Sequence, residues 1–363
     1  MYYRIAEITL CSQLCLPAFE AFACEPCEPD AVLEIAAGET PPEGEETFAG
    51  ATVCRKTADG WFFHRPSNPA AGLIVSGDYT RMRLIRESDQ AVSFPESHYV
   101  RLSLECLLAR RGYVSLHAAC VAMEGKAIAF TGNSGMGKST RAAAWQKAFQ
   151  ASLVSGDRPL IRVDGSEVYG VPWDGKEACY RSVHFPLQAI CEVRRSDSAH
   201  GRRLSFKQKR TLLMRQCFLP MWDTETAAIQ MTNIVRLASR ANIVRIFCGP
   251  SEEDAKALRR VMDTHQSIYE EESDMKAKSG FILRNVVDEH VLFPVGDNIN
   301  VFNGTLLLNE VSAFIWEQLQ NPISRDDLLK AVLNQYDVDE AQAAADLDAL
   351  LTKLRGLGVI EDD

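Results

Sequence analysis

The stretch TGNSGMGKST, residues 131–140, constrains this chain more than any other. Within it, Gly132-x-x-x-x-Gly137-Lys138-Ser139 has the full spacing of a phosphate-binding loop, which works only between a β-strand and the start of an α-helix. Glycines let the backbone wrap closely around phosphate oxygens with no Cβ in the way. Successive backbone N–H groups and the helix N-terminus then point at the anion. The residues expected at an ATP molecule are Gly132, Asn133, Ser134, Gly135, Met136, Gly137, Lys138, Ser139 and Thr140. Lys138 is expected at the β- and γ-phosphates and Ser139 at Mg²⁺. The bland alternative is a chance glycine turn before a helix. The flanking segments KAIAFTG and STRAAAWQKAFQ, β-type and helical, favour the nucleotide.

The next apolar run, ASLVSGD, completes a strand–loop–helix–strand unit and predicts an α/β core. It puts Asp157 at the C-terminal edge of a strand, where ligands of open α/β sheets gather. Asp157 there holds the metal or activates the attacking group; a turn cap is the alternative. Upstream, residues 1–98 hold short β-type runs between Gly, Pro and acidic loops and read as a β-rich N-terminal lobe. YVRLSLECLLARRG from Tyr99 reads as an amphipathic helix. The kinase-sized core is expected over 99–270, a charged linker over 271–278 and a small domain over 279–363. In the small domain Ala345, Leu347, Leu350, Leu351 and Leu354 predict the apolar stripe of a last helix, and Ser324-x-x-Asp327 a capping box.

Charge separates the two ends of the chain. Residues 279–363 hold five Lys/Arg against fifteen Asp/Glu, so the formal −10 of the whole protein lies there. Such a balance argues against nucleic acid as a partner. No apolar run is long enough to span a membrane, and Arg4 and Glu7 interrupt any signal-like core, so a cytoplasmic location and no membrane partner are expected. Cys11, Cys15, Cys24 and Cys27 have a CxxxC…CxxC spacing that suits zinc or an iron–sulfur cluster. Their mixed surroundings and the lack of a glycine knuckle favour free thiols. The run 194–210 carries seven Lys/Arg and one acid and reads as a solvated face or as a guide for an acidic substrate.

LHAACV, FTGNSGMGKST and LVSGDRPLI, in this order and at these distances, resemble the HPr kinase/phosphorylase family over about residues 100–250. The resemblance implies the compact P-loop fold shared with phosphoenolpyruvate carboxykinases. It places His117 near the active site, Lys138 and Ser139 at phosphate and Mg²⁺, and Asp157 in the acid motif. His117 alone, between Leu116 and Ala118, equally fits a core histidine. The family has two successive aspartates where this chain has Gly156-Asp157, so base and metal ligand fall together on Asp157 or are shared with Asp174 or Glu177. VPWDGKE (171–177) is similar to the glycine loop of the family's peptide-kinase relatives, which makes Lys176 a candidate phosphate ligand.

The C-terminal segment resembles the PqqD-like family nearly end to end, through Leu308-Asn309-Glu310, Ile315-Trp316, Asp337-Val338-Asp339 and the closing Leu354–Gly358 element. That resemblance implies an α+β winged-helix domain that recognises the leader of a ribosomally made precursor peptide. The leader would add as a strand along Asn303–Leu308 against a helical wall at Ala341–Leu354. Together the two resemblances imply an ATP- and Mg²⁺-dependent kinase acting on a peptide hydroxyl. A kinase or ATPase for a carrier protein or metabolite, and a non-catalytic nucleotide-gated binding protein, are the alternatives. A homo-oligomer is neither required nor excluded.

Overall fold

The structure, a computed structural model, describes residues 1–48, 51–86, 92–173, 178–196, 199–264, 268–270, 275–286, 289–296 and 305–362. The chain divides into Met1–Tyr269 and Glu270–Asp363. It is a mixed α/β protein with several sheets.

In the first unit, eight strands between Tyr2 and Leu84 form one sheet, in the order 2–5, 8–12, 31–35, 81–84, 68–76, 60–65, 53–56, 45–48. Its inward residues, among them Leu10, Leu33, Phe63, Leu73 and Met82, share a core with α1 (Phe94–Arg110). Pro95 sits in the first turn of α1, and Glu96 Oε2 accepts from the Ser93 amide at 2.6 Å. This helix starts earlier than expected and is not amphipathic. Val100, Leu104, Cys106 and Leu108 are fully buried around its circumference because it packs on both the strand 68–76 and the helix 224–240. Even Glu105 is buried, held by Ser115 Oγ at 2.6 Å and by Arg101 Nε at 3.4 Å.

His98 on α1 makes stability pH-dependent. Burial, then the guanidiniums of Arg101, Arg158 and Arg65, pull its imidazole down to about 4. The unfolded chain therefore takes up this proton first, and stability present above about pH 6.5 is lost as pH falls toward 4. Discounted for partial exposure, the loss is about 1–2 kcal/mol. Urea unfolding at pH 7 and 4.5 should show that much less acid sensitivity in His98→Gln than in the wild type.

A second sheet carries the P-loop. Lys126–Thr131 sends Ala127 and Ala129 to one face and Ile128 and Phe130 to the other. Helices α2 (Lys138–Phe149) and α5 (Glu252–Thr264) cover the latter face, and α3 (Phe206–Gln216) and α4 (Thr224–Arg240) the former. Ser152–Ser155, Ala118–Met123, Lys126–Thr131, His184–Arg195 and Ile243–Cys248 lie side by side in that order. The last three are parallel. Ala118–Met123 is antiparallel to both its neighbours, so Ser152–Ser155 runs parallel to the P-loop strand two positions away. The C-terminal ends of these four parallel strands consequently share one edge, where Thr131, Ser155, Arg195 and Cys248 lie.

In the second unit, Phe281–Val286 and Glu289–Pro294 form a hairpin, and Leu306–Leu308 pairs with the latter. Then follow α6 (Glu310–Gln318), α7 (Arg325–Gln335) and α8 (Glu340–Gly356). Ser324 caps α7 as its sequence predicts, accepting from Asp327 N at 3.1 Å. The buried stripe of α8 is Ala343, Leu347, Leu351 and Leu354; Ala345 is exposed. Met275–Ala277, read as linker, is a strand paired with Ile360–Asp362, and Met275 is fully buried against the second unit's core. A lone methionine among charges gives no local sign of a partner strand supplied by the far end of the chain.

Candidate functional site

The P-loop bends as its glycines require. Gly135 and Gly137 have φ of +79° and +86°, and a Cβ on Gly137 would come within 2.3 Å of Arg141 Nη1. Gly132 also has positive φ. Asn133, Ser134, Gly135, Ser139 and Thr140 are exposed along the loop and the first turn of α2, while Met136 is half-buried. Lys138 folds back over the loop, donating to the Gly132 carbonyl at 3.0 Å and the Asn133 carbonyl at 3.4 Å. Burial holds its ammonium below the ordinary lysine value, and the Asp157 carboxylate works in the opposite direction.

His117 and Asp157 meet beside this lysine. The backbone fixes them: Ala118 N donates to Asp157 O at 2.7 Å, Leu116 N to Pro159 O at 3.1 Å, and His117 N to Gln216 O at 2.8 Å. Thr131 Oγ1 at the end of the P-loop strand donates to His117 O at 2.8 Å. His117 Nε2 lies 3.4 Å from Asp157 Oδ1, each side chain 32% exposed. Burial first, then the Lys138 charge, lowers the imidazole below its usual value, against the pull of Asp157. A neutral imidazole at pH 7 presents one N–H and one lone pair, so it can steady the carboxylate without neutralising it. The structure thus brings His117, Lys138 and Asp157 together, with Ser139 on the same loop. Asp174, Lys176 and Glu177 lie outside the described residues.

Sequence reasoning missed the groups that brace the loop. Arg141, one turn into α2, is 4% exposed and donates to Met136 O at 3.2 Å and Cys248 O at 2.6 Å. It ties the loop to the end of a neighbouring parallel strand. Arg195 Nη2 donates to Gly135 O at 2.8 Å. Gln216 Nε2 approaches Asn133 Oδ1 at 3.4 Å and its carbonyl accepts from His117, so α3 joins the two halves of the site. Glu192, in register with Thr131 across the sheet, is 6% exposed and held by Arg194 and Arg245 at 2.8 Å each. The local signals for these roles were an arginine before the apolar AAAW of α2 and the start of the basic run at Arg194. Arg141→Leu should cost about 2–3 kcal/mol in denaturant unfolding, because two charge-assisted bonds to the loop and its neighbour vanish. An unchanged unfolding free energy would mean the loop needs no brace.

Of the basic run 194–210, Arg194 is engaged by Glu192, Arg195 by the P-loop, and Arg202 lies over the Phe247 ring at 5.3 Å. These side chains are thus tied to the fold rather than freely solvated. Cys11 and Cys24 are half-buried, Cys15 and Cys27 exposed. Among the described residues no group of three or more His, Cys, Asp or Glu converges as a metal site. The P-loop nonetheless fits ATP: three positive-φ glycines, an exposed helix start with the Ser139 hydroxyl, and a lysine resting on replaceable carbonyl contacts.

In the C-terminal unit, Leu306–Leu308 is the outer strand of its three-stranded sheet among the described residues. Leu306 and Leu308 point into the core and Leu307 is 58% exposed. Asn303 and Gly304 of the expected edge lie outside the described residues. Residues 289–360 match the family model of coenzyme PQQ synthesis protein D (PqqD), so this unit carries a PqqD-type domain. Among solved structures the chain is similar to TbiB1 in complex with the TbiA(beta) leader peptide, at 22% identity over 24% of this chain and 96% of that one, with a TM-score of 0.21. No curated protein matches the chain. No helix among the described residues is long and apolar enough to cross a membrane.

Proposed function

We propose that the protein is an ATP-dependent kinase that phosphorylates a hydroxyl, in our reading a serine's, on a ribosomally made precursor peptide docked on its PqqD-type domain. The observation that carries this reading is the meeting of His117, Lys138 and Asp157 at the P-loop, in a chain that also holds a PqqD-type domain. ATP with Mg²⁺, when bound, supplies the activated phosphoryl group.

The chain's own residues do the rest. Lys138 exchanges the Gly132 and Asn133 carbonyls for phosphate oxygens and neutralises charge that builds on them. The Ser139 hydroxyl and Asp157 are the groups suited to hold Mg²⁺. Asp157 also accepts the acceptor's proton as the new P–O bond forms and the bond to the departing ADP oxygen breaks. Neutral His117 keeps Asp157 aimed, and Gln216 keeps His117 and Asn133 in step.

On the PqqD-type domain, the outer strand Leu306–Leu308 offers backbone groups to an extended leader, with Leu307 as an apolar contact and α8 as the wall. Labelled ATP tests the reading: wild type moves the label to the peptide, and Lys138→Ala, which should still fold, moves almost none. Equal transfer by both proteins would end it.

A further inference from the structure

The P-loop chemistry leaves the C-x-x-C of Cys24 and Cys27 unused. Strands 2–5 and 8–12 form a hairpin in which Tyr2 faces Cys11 and Arg4 faces Thr9. Tyr3 and Leu10 between them are buried, so the outer face carries Tyr2, Arg4 and Cys11. The chain then crosses this hairpin as a strap. It enters along the outer edge of strand 2–5, where Ala23 bridges Tyr3 and Cys24 N donates to Tyr2 O at 3.0 Å. It leaves beside Thr9, whose carbonyl accepts from Asp30 N and whose amide donates to Asp30 Oδ2, each at 2.9 Å. Between these anchors the strap lays Cys27 over the hairpin, with Sγ 3.6 Å from Thr9 Oγ1 and 3.8 Å from Arg4 Nη2. Cys11 lies on the far side of Tyr2 from Cys24, two strand spacings or about 10 Å away, which is beyond disulfide reach. Cys27 is the sulfur that comes against Cys24.

We infer that Cys24 and Cys27 are a thiol–disulfide exchange site that reduces the disulfide of a small thiol and becomes a disulfide itself. Cys27 is the attacking sulfur. It is exposed, and Arg4 sets a cation beside the atom where negative charge gathers during exchange. Cys24 is half-buried. Burial first, then the Cys27 sulfur, pushes its thiol up, so it keeps its proton until the first bond has formed. Cys27 attacks one sulfur of the incoming disulfide, a new S–S bond forms, and the other half leaves as a thiolate. Cys24 then attacks the Cys27 sulfur and displaces the second half. The protein gives up two electrons and two protons, and both end on the two small thiols released.

Oxidised glutathione is the probe. The full-length reduced protein is treated with it, quenched by alkylation and mapped by peptide mass. Wild type should gain a Cys24–Cys27 bond and keep no glutathione on Cys27. Cys15, exposed and outside the strap, reports how an ordinary surface thiol reacts in the same sample. In Cys24→Ser the exchange should stop halfway, so glutathione on Cys27 should rise about tenfold or more over wild type. Arg4→Gln, a change at an exposed side chain, should slow the reaction of Cys27 relative to Cys15 about threefold or more. Modification of the buried Cys54 or Cys106 would mark a misfolded variant, and the wild-type map decides without it. A Cys11–Cys27 bond in place of Cys24–Cys27, glutathione that stays on Cys27 in wild type, or a strap left unmodified while Cys15 reacts overturns the site.

Discussion

Asp157→Asn is expected to lower kcat for phosphoryl transfer by about 10²–10⁴-fold while peptide KM changes little. The substitution keeps the shape of the side chain, and the bond that anchors this loop is made by the backbone, from Ala118 N to Asp157 O. The fold should therefore survive, and the loss falls on the step in which a carboxylate accepts a proton. With Gly156 preceding it, the loop holds no second aspartate beside Asp157. The charge change also has a signature apart from catalysis. Asp157 raises both His117 and Lys138 against their burial, so His117 should titrate at lower pH in the variant by NMR. A fall in kcat with that shift fits a base facing both groups; a loss of thermal stability with kcat intact would make Asp157 a turn cap.

The second large effect concerns the leader. A peptide with its leader should show kcat/KM about 10²–10⁴-fold above the same peptide without it, because docking makes the acceptor encounter intramolecular. The gain should reside mainly in KM. Leu307→Asp, on an exposed position between the buried Leu306 and Leu308, should remove most of the advantage. Its charge faces the incoming strand and leaves the core contacts of the sheet alone. The leaderless peptide should react equally well with both proteins. If leader and leaderless peptides have the same kcat/KM, the domain does not serve the reaction.

How far the sequence could be read depended on whether a signal was local. Spacing within ten residues carries the P-loop motif, since its glycines, lysine and serine stand at fixed offsets in one short stretch. Ser324 announces its helix because capping spans three residues. The strand before Asp157 was legible for the same reason. Arg141, Glu192, Arg195 and Gln216 were not, because their partners come from strand ends and helices far along the chain. The burial of α1 on every side was hidden too, since it needs the N-terminal sheet on one flank and α4 on the other. Met275 found its partner strand at the opposite end of its unit. Local chemistry predicted the cradle, and only the fold showed how it is braced.

The most direct test of the central claim is the mass of the peptide itself. The full-length protein, ATP and Mg²⁺ are incubated with the precursor peptide encoded beside its gene, and the peptide is weighed intact and after fragmentation. One added phosphoryl group on a serine, absent with Lys138→Ala, is the predicted result. ATP converted to ADP and free phosphate with the peptide unchanged, or ATP bound and never turned over, would contradict it.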